Sequence, residues 1–162
     1  MKLSKLRLVA GALALIAVSS APMAAQSKSM TPQEQANLKM VLDWWREVIV
    51  ARHMELSPKY QAEDYIQHNP NIPTGRAAFV KFFSSLGPPV NPIPAKLPAE
   101  WTPVKSFAKG DYVVLIWEHE GKDPADPSKT YKYNDFDLLR IKNGKVQEHW
   151  DGAMKMPPGA RP

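Results

Sequence analysis

The sequence predicts an α+β fold in which helices pack on one face of a curved antiparallel sheet. Three observations carry that expectation. Residues 31–86 repeat apolar side chains at three- and four-residue spacing, as amphipathic helices do. Residues 101–151 instead carry alternating and strand-like apolar runs, and helices followed by strands is the α+β order. Asn143-Gly144 lies between two such runs. That dipeptide is a strong hairpin signal, because a type I′ turn needs φ > 0 at both central residues.

Residues 1–25 read as a secretory leader. Lys2, Lys5 and Arg7 form a basic start, Leu8 to Val18 is an uncharged run of 11 residues, and Ser19 to Ala25 is rich in small residues. The apolar run falls short of the roughly 20 residues a spanning helix needs. Cleavage near Ala24 or Ala25 and a periplasmic or secreted protein are expected, with no stable membrane insertion after processing. There is no cysteine to carry a lipid, a disulfide or thiolate chemistry, so the fold must stand on its core. The leader holds three basic residues and no acid, so the +5 of the full chain falls to +2 once it is removed. That near-neutral balance gives no electrostatic footprint for nucleic acid. The remaining 137 residues suit one domain: a polar lead-in over 26–35, the domain over 36–156 and a tail over 157–162.

Thr31-Pro32-Gln33-Glu34 has the form of a helix start, with Thr31 as N-cap and Pro32 at the first helical position. Leu38, Val41, Leu42, Trp45, Ile49 and Arg52 or His53 then mark the buried stripe of a helix of about five turns. Trp44 falls off that stripe, where it would cover a second surface. Ser57-Pro58 opens a short second helix through Ala62. Tyr65 to Pro70, YIQHNP, is extended and leads into a turn, since the residue before proline is pushed out of the helical region. Ala77, Ala78, Val80, Phe82, Phe83 and Leu86 form a third helix after Thr74 or Gly75, stopped by Gly87-Pro88-Pro89. Residues 87–98 hold five prolines and form a wrapped loop.

Val104 to Ala108 and Tyr112 to His119 flank a turn at Lys109-Gly110. The second of these, YVVLIWEH, is apolar on both faces, the pattern of a strand covered on both sides. Around Asn143-Gly144 a simple hairpin pairs Lys142 with Lys145, Ile141 with Val146, Leu139 with Glu148 and Asp137 with Trp150. One face then holds Asp137, Leu139, Ile141, Val146, Glu148 and Trp150, and the other Phe136, Leu138, Arg140, Gln147, His149 and Asp151. A carboxylate beside an indole on a largely apolar face is costly if buried. It is either a rim carboxylate paired with Lys or Arg, or an acid/base group lining a pocket.

Two segments resemble a known family. YIQHNP followed by GRAAFVKFF, and FDLLRIKNGKVQEHWD near the end, are similar to segments of the SnoaL-like polyketide cyclases, within the nuclear transport factor 2-like superfamily. The resemblance runs from about Ala36 to Asp151. It implies a cone in which a curved antiparallel sheet wraps N-terminal helices around an apolar cavity. It also implies an acid/base role in aldol ring closure for the Asp just before the strand core, which here is Asp137.

Candidate catalytic residues are therefore Asp137, His68 and His119. Asp137 would abstract a proton α to a carbonyl; its bland alternative is an ion pair at the cone mouth. His68 stands where a side chain can enter a cavity, or can hold the Asn69-Pro70 turn. His119 shares a face with Val113, Leu115 and Trp117 at a strand end. His149, opposite Asp137, reads as structural or interfacial. Asp135 reads as solvated. Trp45, Trp117, Trp150 and Glu148 are candidate ligand-binding residues, although aromatics in cores are the default. The histidines lack the i, i+4 helical pair and any HExxH, so no metal is expected. No Gly-rich phosphate loop, nucleophile signature or redox motif is present, and no cofactor is expected.

Two function classes follow. One is a cofactor-independent acid/base enzyme of the aldol cyclase or isomerase type acting on a small apolar carbonyl compound. The other is a non-catalytic protein of the cell envelope that binds a small apolar molecule. A homodimer is expected through the outer sheet face carrying Phe136, Leu138 and His149.

Overall fold

The computed structural model describes residues 29–157, and the leader reading over 1–25 lies outside them. Helix α1 (Pro32–Trp44) continues into a π-helical segment (Trp45–Val50), a 3₁₀ turn (Met54–Leu56) and the short α2 (Ser57–Tyr60). Strand β1 (Gln61–Gln67), helix α3 (Arg76–Ser84), a second 3₁₀ turn (Ala99–Trp101) and the strands β2 (Lys105–Lys109), β3 (Tyr112–Lys122), β4 (Thr130–Lys142) and β5 (Lys145–Trp150) complete it. The sheet order is β1-β5-β4-β3-β2. Its pairs are antiparallel except at one edge, where β1 runs parallel to β5. The α+β fold with helices against a sheet is as expected, whereas the parallel β1 edge departs from the antiparallel sheet the sequence suggests.

Helix α1 starts on a capping box. The Glu34 N–H donates to Thr31 Oγ1 at 3.2 Å, and the Thr31 N–H donates to Glu34 Oε2 at 2.8 Å. The helix buries only part of the stripe expected of it, Val41, Trp45 and His53. Glu34, Asn37, Val41, Trp44, Trp45, Val48 and Ala51 are buried, while Leu38, Leu42 and Ile49 are half-buried. The first turns dock polar side chains: Glu34 Oε1 accepts the Gly110 N–H at 2.9 Å, and Asn37 Nδ2 donates to the Gly110 carbonyl at 3.3 Å. A buried face that begins with two hydrogen-bonded polar residues carries no apolar period to reveal it. The buried stripe therefore lies one residue earlier than the apolar pattern indicates, and Trp44 is a central core residue at 1% exposure. It packs with Val41, Val48, Tyr65, Phe79, Val113, Leu115, Leu139 and Val146.

The hairpin turn forms as expected, with Asn143 and Gly144 at φ 53° and 69°. Lys142 pairs with Lys145 and Ile141 with Val146, but Arg140 then pairs with Glu148, leaving Gln147 as an extra residue on β5. This β-bulge flips the alternation of everything after it. Leu139 faces His149 and Leu138 faces Trp150, which corrects the expected Leu139–Glu148 and Asp137–Trp150 pairs. The bulge is tied down by Gln147, whose Nε2 donates to the Asp64 carbonyl at 3.2 Å and to its Oδ1 at 3.1 Å. His149 consequently points inward beside Asp137, and Trp150 and Glu148 point outward.

On β3, Val113, Leu115 and Trp117 are buried, while Tyr112, Val114 and Ile116 on the other face are not. Among the described residues this strand is covered on one side only. Phe107, Tyr112 and Phe136 remain exposed.

Candidate active site

The concave side of the sheet and the helices enclose a cavity of about 490 Å³. Its walls are aromatic, with Trp44, Trp45, Phe79, Phe83 and Trp117 among the lining residues. The Trp45 and Trp117 ring centres stand 4.8 Å apart. Polar groups gather at one place, where β1, β3, β4 and β5 bring together Gln67, Trp117, Asp137, His149 and Asp151.

Asp137 comes from β4 opposite Leu115 of β3 and is 8% exposed. One carboxylate oxygen, Oδ2, accepts the Trp117 indole N–H. The other, Oδ1, lies 2.6 Å from His149 Nε2, and His149 is 7% exposed. The far ring nitrogen, Nδ1, lies 2.9 Å from Gln67 Oε1. Gln67 Oε1 also accepts the Asn69 N–H at 3.0 Å, and Gln67 Nε2 donates to Tyr65 Oη at 3.1 Å. Asn69 Nδ2 donates to Asp151 Oδ2 at 2.7 Å. Burial, with the nearby Asp137 and Asp151 charges adding to it, pushes the Tyr65 phenol upward, so it stays neutral. An apolar cavity thus ends in a carboxylate–imidazole pair whose outer hydrogen bonds are all satisfied. That is the arrangement needed to hold or move a proton next to an apolar ligand.

The YIQHNP segment builds half of this network, through Tyr65, Gln67 and Asn69, none of them a candidate from the sequence. Strand alternation sends Tyr65, Gln67 and Asn69 inward and Ile66 and His68 outward. His68, chosen for its chemistry, does not line the cavity. Its Nε2 lies 3.1 Å from Glu148 Oε2, and its ring stacks on Trp150 at 4.4 Å between centres. Glu148 also accepts from Arg140 Nε at 2.6 Å, and these partners, His68 foremost, hold its carboxyl below the usual range. Trp150 and Glu148 belong to this outer network rather than to the cavity, for the reason the bulge supplies. His119 lines the cavity nearer the strand ends, with Nε2 3.3 Å from Asp135 Oδ2. Asp135 lines it too, although its side chain is largely exposed. Trp45 and Trp117 are both in the wall.

Asp137, His149 and Asp151 could each turn one ligand atom to a common point, since those atoms lie within 4.8 Å of one another. The contact between Asp137 Oδ1 and His149 Nε2, and that between Asp151 Oδ2 and Asn69, already occupy the donor set. For His149 Nε2 to ligate a cation, its contact with Asp137 Oδ1 would have to break.

The family model described as a SnoaL-like domain matches residues 41–149. Among solved structures, a protein described as a SnoaL-like polyketide cyclase from Jannaschia sp. CCS1 is 16% identical, with 77% of this chain and 91% of that one covered and a TM-score of 0.51. An NTF2-like protein from Burkholderia xenovorans LB400 is also 16% identical, over 73% and 88%, with a TM-score of 0.50. An LEH-like epoxide hydrolase of M. tuberculosis is 9% identical, over 74% and 84%, at a TM-score of 0.50. At these identities the likeness is one of fold. No curated protein matches the sequence.

Proposed function

The chain belongs to the SnoaL-like domain family, and from that premise we propose that it is a cofactor-independent acid/base enzyme acting on a small apolar carbonyl compound. The observation that carries this is the 2.6 Å Asp137–His149 pair, buried at the end of an aromatic cavity. The Asp137 carboxylate removes a proton from the carbon α to the carbonyl, and the electron pair of the broken C–H bond passes to the carbonyl oxygen as an enolate. The imidazole at its side steadies the carboxylate before transfer, and the Trp117 N–H does the same from the other oxygen. The enolate carbon then either attacks a second carbonyl carbon in the same molecule, closing a ring as the oxygen of that carbonyl takes the proton from Asp137, or the electron pair takes the proton back from Asp137 at another position. The aromatic walls hold a flat apolar skeleton and exclude water, which strengthens these contacts.

The leader-like character of residues 1–25 supports a periplasmic or secreted location, and the exposed aromatic outer face of the sheet supports a homodimer. Deuterium exchange tests the central reading. The protein in D₂O, offered a panel of aryl ketones and β-dicarbonyl compounds, should exchange α-hydrogens faster than buffer does, and Asp137→Asn should not. Saturable binding without exchange by the unaltered protein would make it a ligand-binding protein instead.

A further inference from the structure

The hydrogen-bond partners around His149 determine which of its nitrogens carries hydrogen, and they do so through a residue that need not touch a substrate. The Asn69 backbone N–H lies 3.0 Å from one end of the Gln67 amide. A peptide N–H only donates, so that end of the amide must be the oxygen. Turned round, two donors would face each other. The same oxygen lies 2.9 Å from His149 Nδ1, so Nδ1 must carry a hydrogen. His149 Nε2 is then left to Asp137 Oδ1 at 2.6 Å, where two bare lone pairs would repel.

We propose that Gln67 is a positioning residue, which holds His149 as the Nδ1–H tautomer so that Nε2 and Asp137 share a single mobile proton. The Asn69 backbone N–H sets the direction of the Gln67 amide and thereby the state of a ring two hydrogen bonds away. The parallel β1–β5 ladder supplies the alignment: Gln67 is the register partner of His149, and the His68 N–H donates to the His149 carbonyl at 3.0 Å. In the opposite tautomer the Nδ1 lone pair would meet the Gln67 oxygen, so the neutral ring is kept from that form. This assignment rests on the acid/base reading of the dyad for its meaning, but not for its test.

Two-bond ¹H–¹⁵N correlation spectra of the full chain read the tautomer directly. In the unaltered protein His149 should keep hydrogen on Nδ1 at every pH at which the protein is folded. Gln67→Met keeps the side-chain length and removes the acceptor, so neutral His149 should move to the Nε2–H form. Gln67→Glu restores an acceptor and should restore Nδ1–H. Tyr65→Phe should leave the tautomer alone, because the Asn69 N–H rather than the phenol orients the amide. A neutral Nε2–H ring in the unaltered protein overturns the proposal, as does Gln67→Met that retains Nδ1–H. Should Gln67→Met fail to fold, the Gln67→Glu spectrum decides, and Nε2–H there overturns it. No substrate enters these spectra, so a protein that exchanges no α-hydrogen gives a different result from one whose tautomer is free.

Discussion

Exchanging Asp137 for Asn or for Ala should separate the chemistry of the site from its architecture. Asn keeps the shape of a protonated Asp. Its oxygen can accept the Trp117 indole N–H, and its amide N–H can donate to His149 Nε2, so both buried contacts survive. The stability change should stay within about 1 kcal/mol, the net worth of a single hydrogen bond. Ala strands both partners, and each buried unsatisfied group costs about 1–3 kcal/mol. Cavity water relieves part of that, leaving a loss of about 2–4 kcal/mol. For a domain of this size about 1 kcal/mol moves Tm by roughly 3–5 °C, so Ala should melt about 10 °C lower and Asn within a few degrees. Both should lose about 100-fold or more in α-hydrogen exchange, the scale of general acid–base catalysis. Circular dichroism melts and exchange rates on the two variants decide it. If Asn melts as low as Ala, or exchanges as fast as the unaltered protein, the site does not work as described.

The remaining predictions concern the periphery. The Gly110 and Thr31 N–H groups hold the Glu34 carboxyl at about 2, down from its ordinary 4.5. Its stabilisation is complete above 4.5 and is lost as pH falls toward 2, so Glu34→Gln should lower Tm at neutral pH and flatten the acid slope of Tm across that window. His68→Ala removes a partly exposed contact with Glu148 and a ring stack, and should cost about 1 kcal/mol or less with exchange activity unchanged, as measured on the same substrates. Intact-mass analysis of an envelope fraction should show loss of roughly the first 25 residues, as signal processing produces; a full-length species alone would exclude export. Light scattering should give a dimer that Phe136→Lys converts to a monomer, because a charge placed on an apolar contact opposes its burial.

Much of this could be read from local pattern. Thr31 caps α1 because hydroxyl, proline and Glu34 stand at capping-box spacing. The Asn143-Gly144 turn forms because its two residues tolerate positive φ. Asp137 stays on the inner face because β4 alternates without interruption from Asp137 through Leu139 to Ile141. Inward alternation from Tyr65 is also a signal for Gln67 and Asn69, whereas the more reactive side chain, His68, falls on the outward position between them.

The class of fold, the turn and one carboxylate each depend on residues close together in the chain, and local pattern is enough for them. The partner of that carboxylate depended on tertiary structure. A single extra residue in β5 rotates His149 into the cavity and Trp150 out of it. Alternation cannot announce such a bulge, because a slip by one leaves the composition of the strand untouched. The bulge is held from β1, where Asp64 receives Gln147 across 83 residues of chain. The site exists only once those distant strands lie side by side.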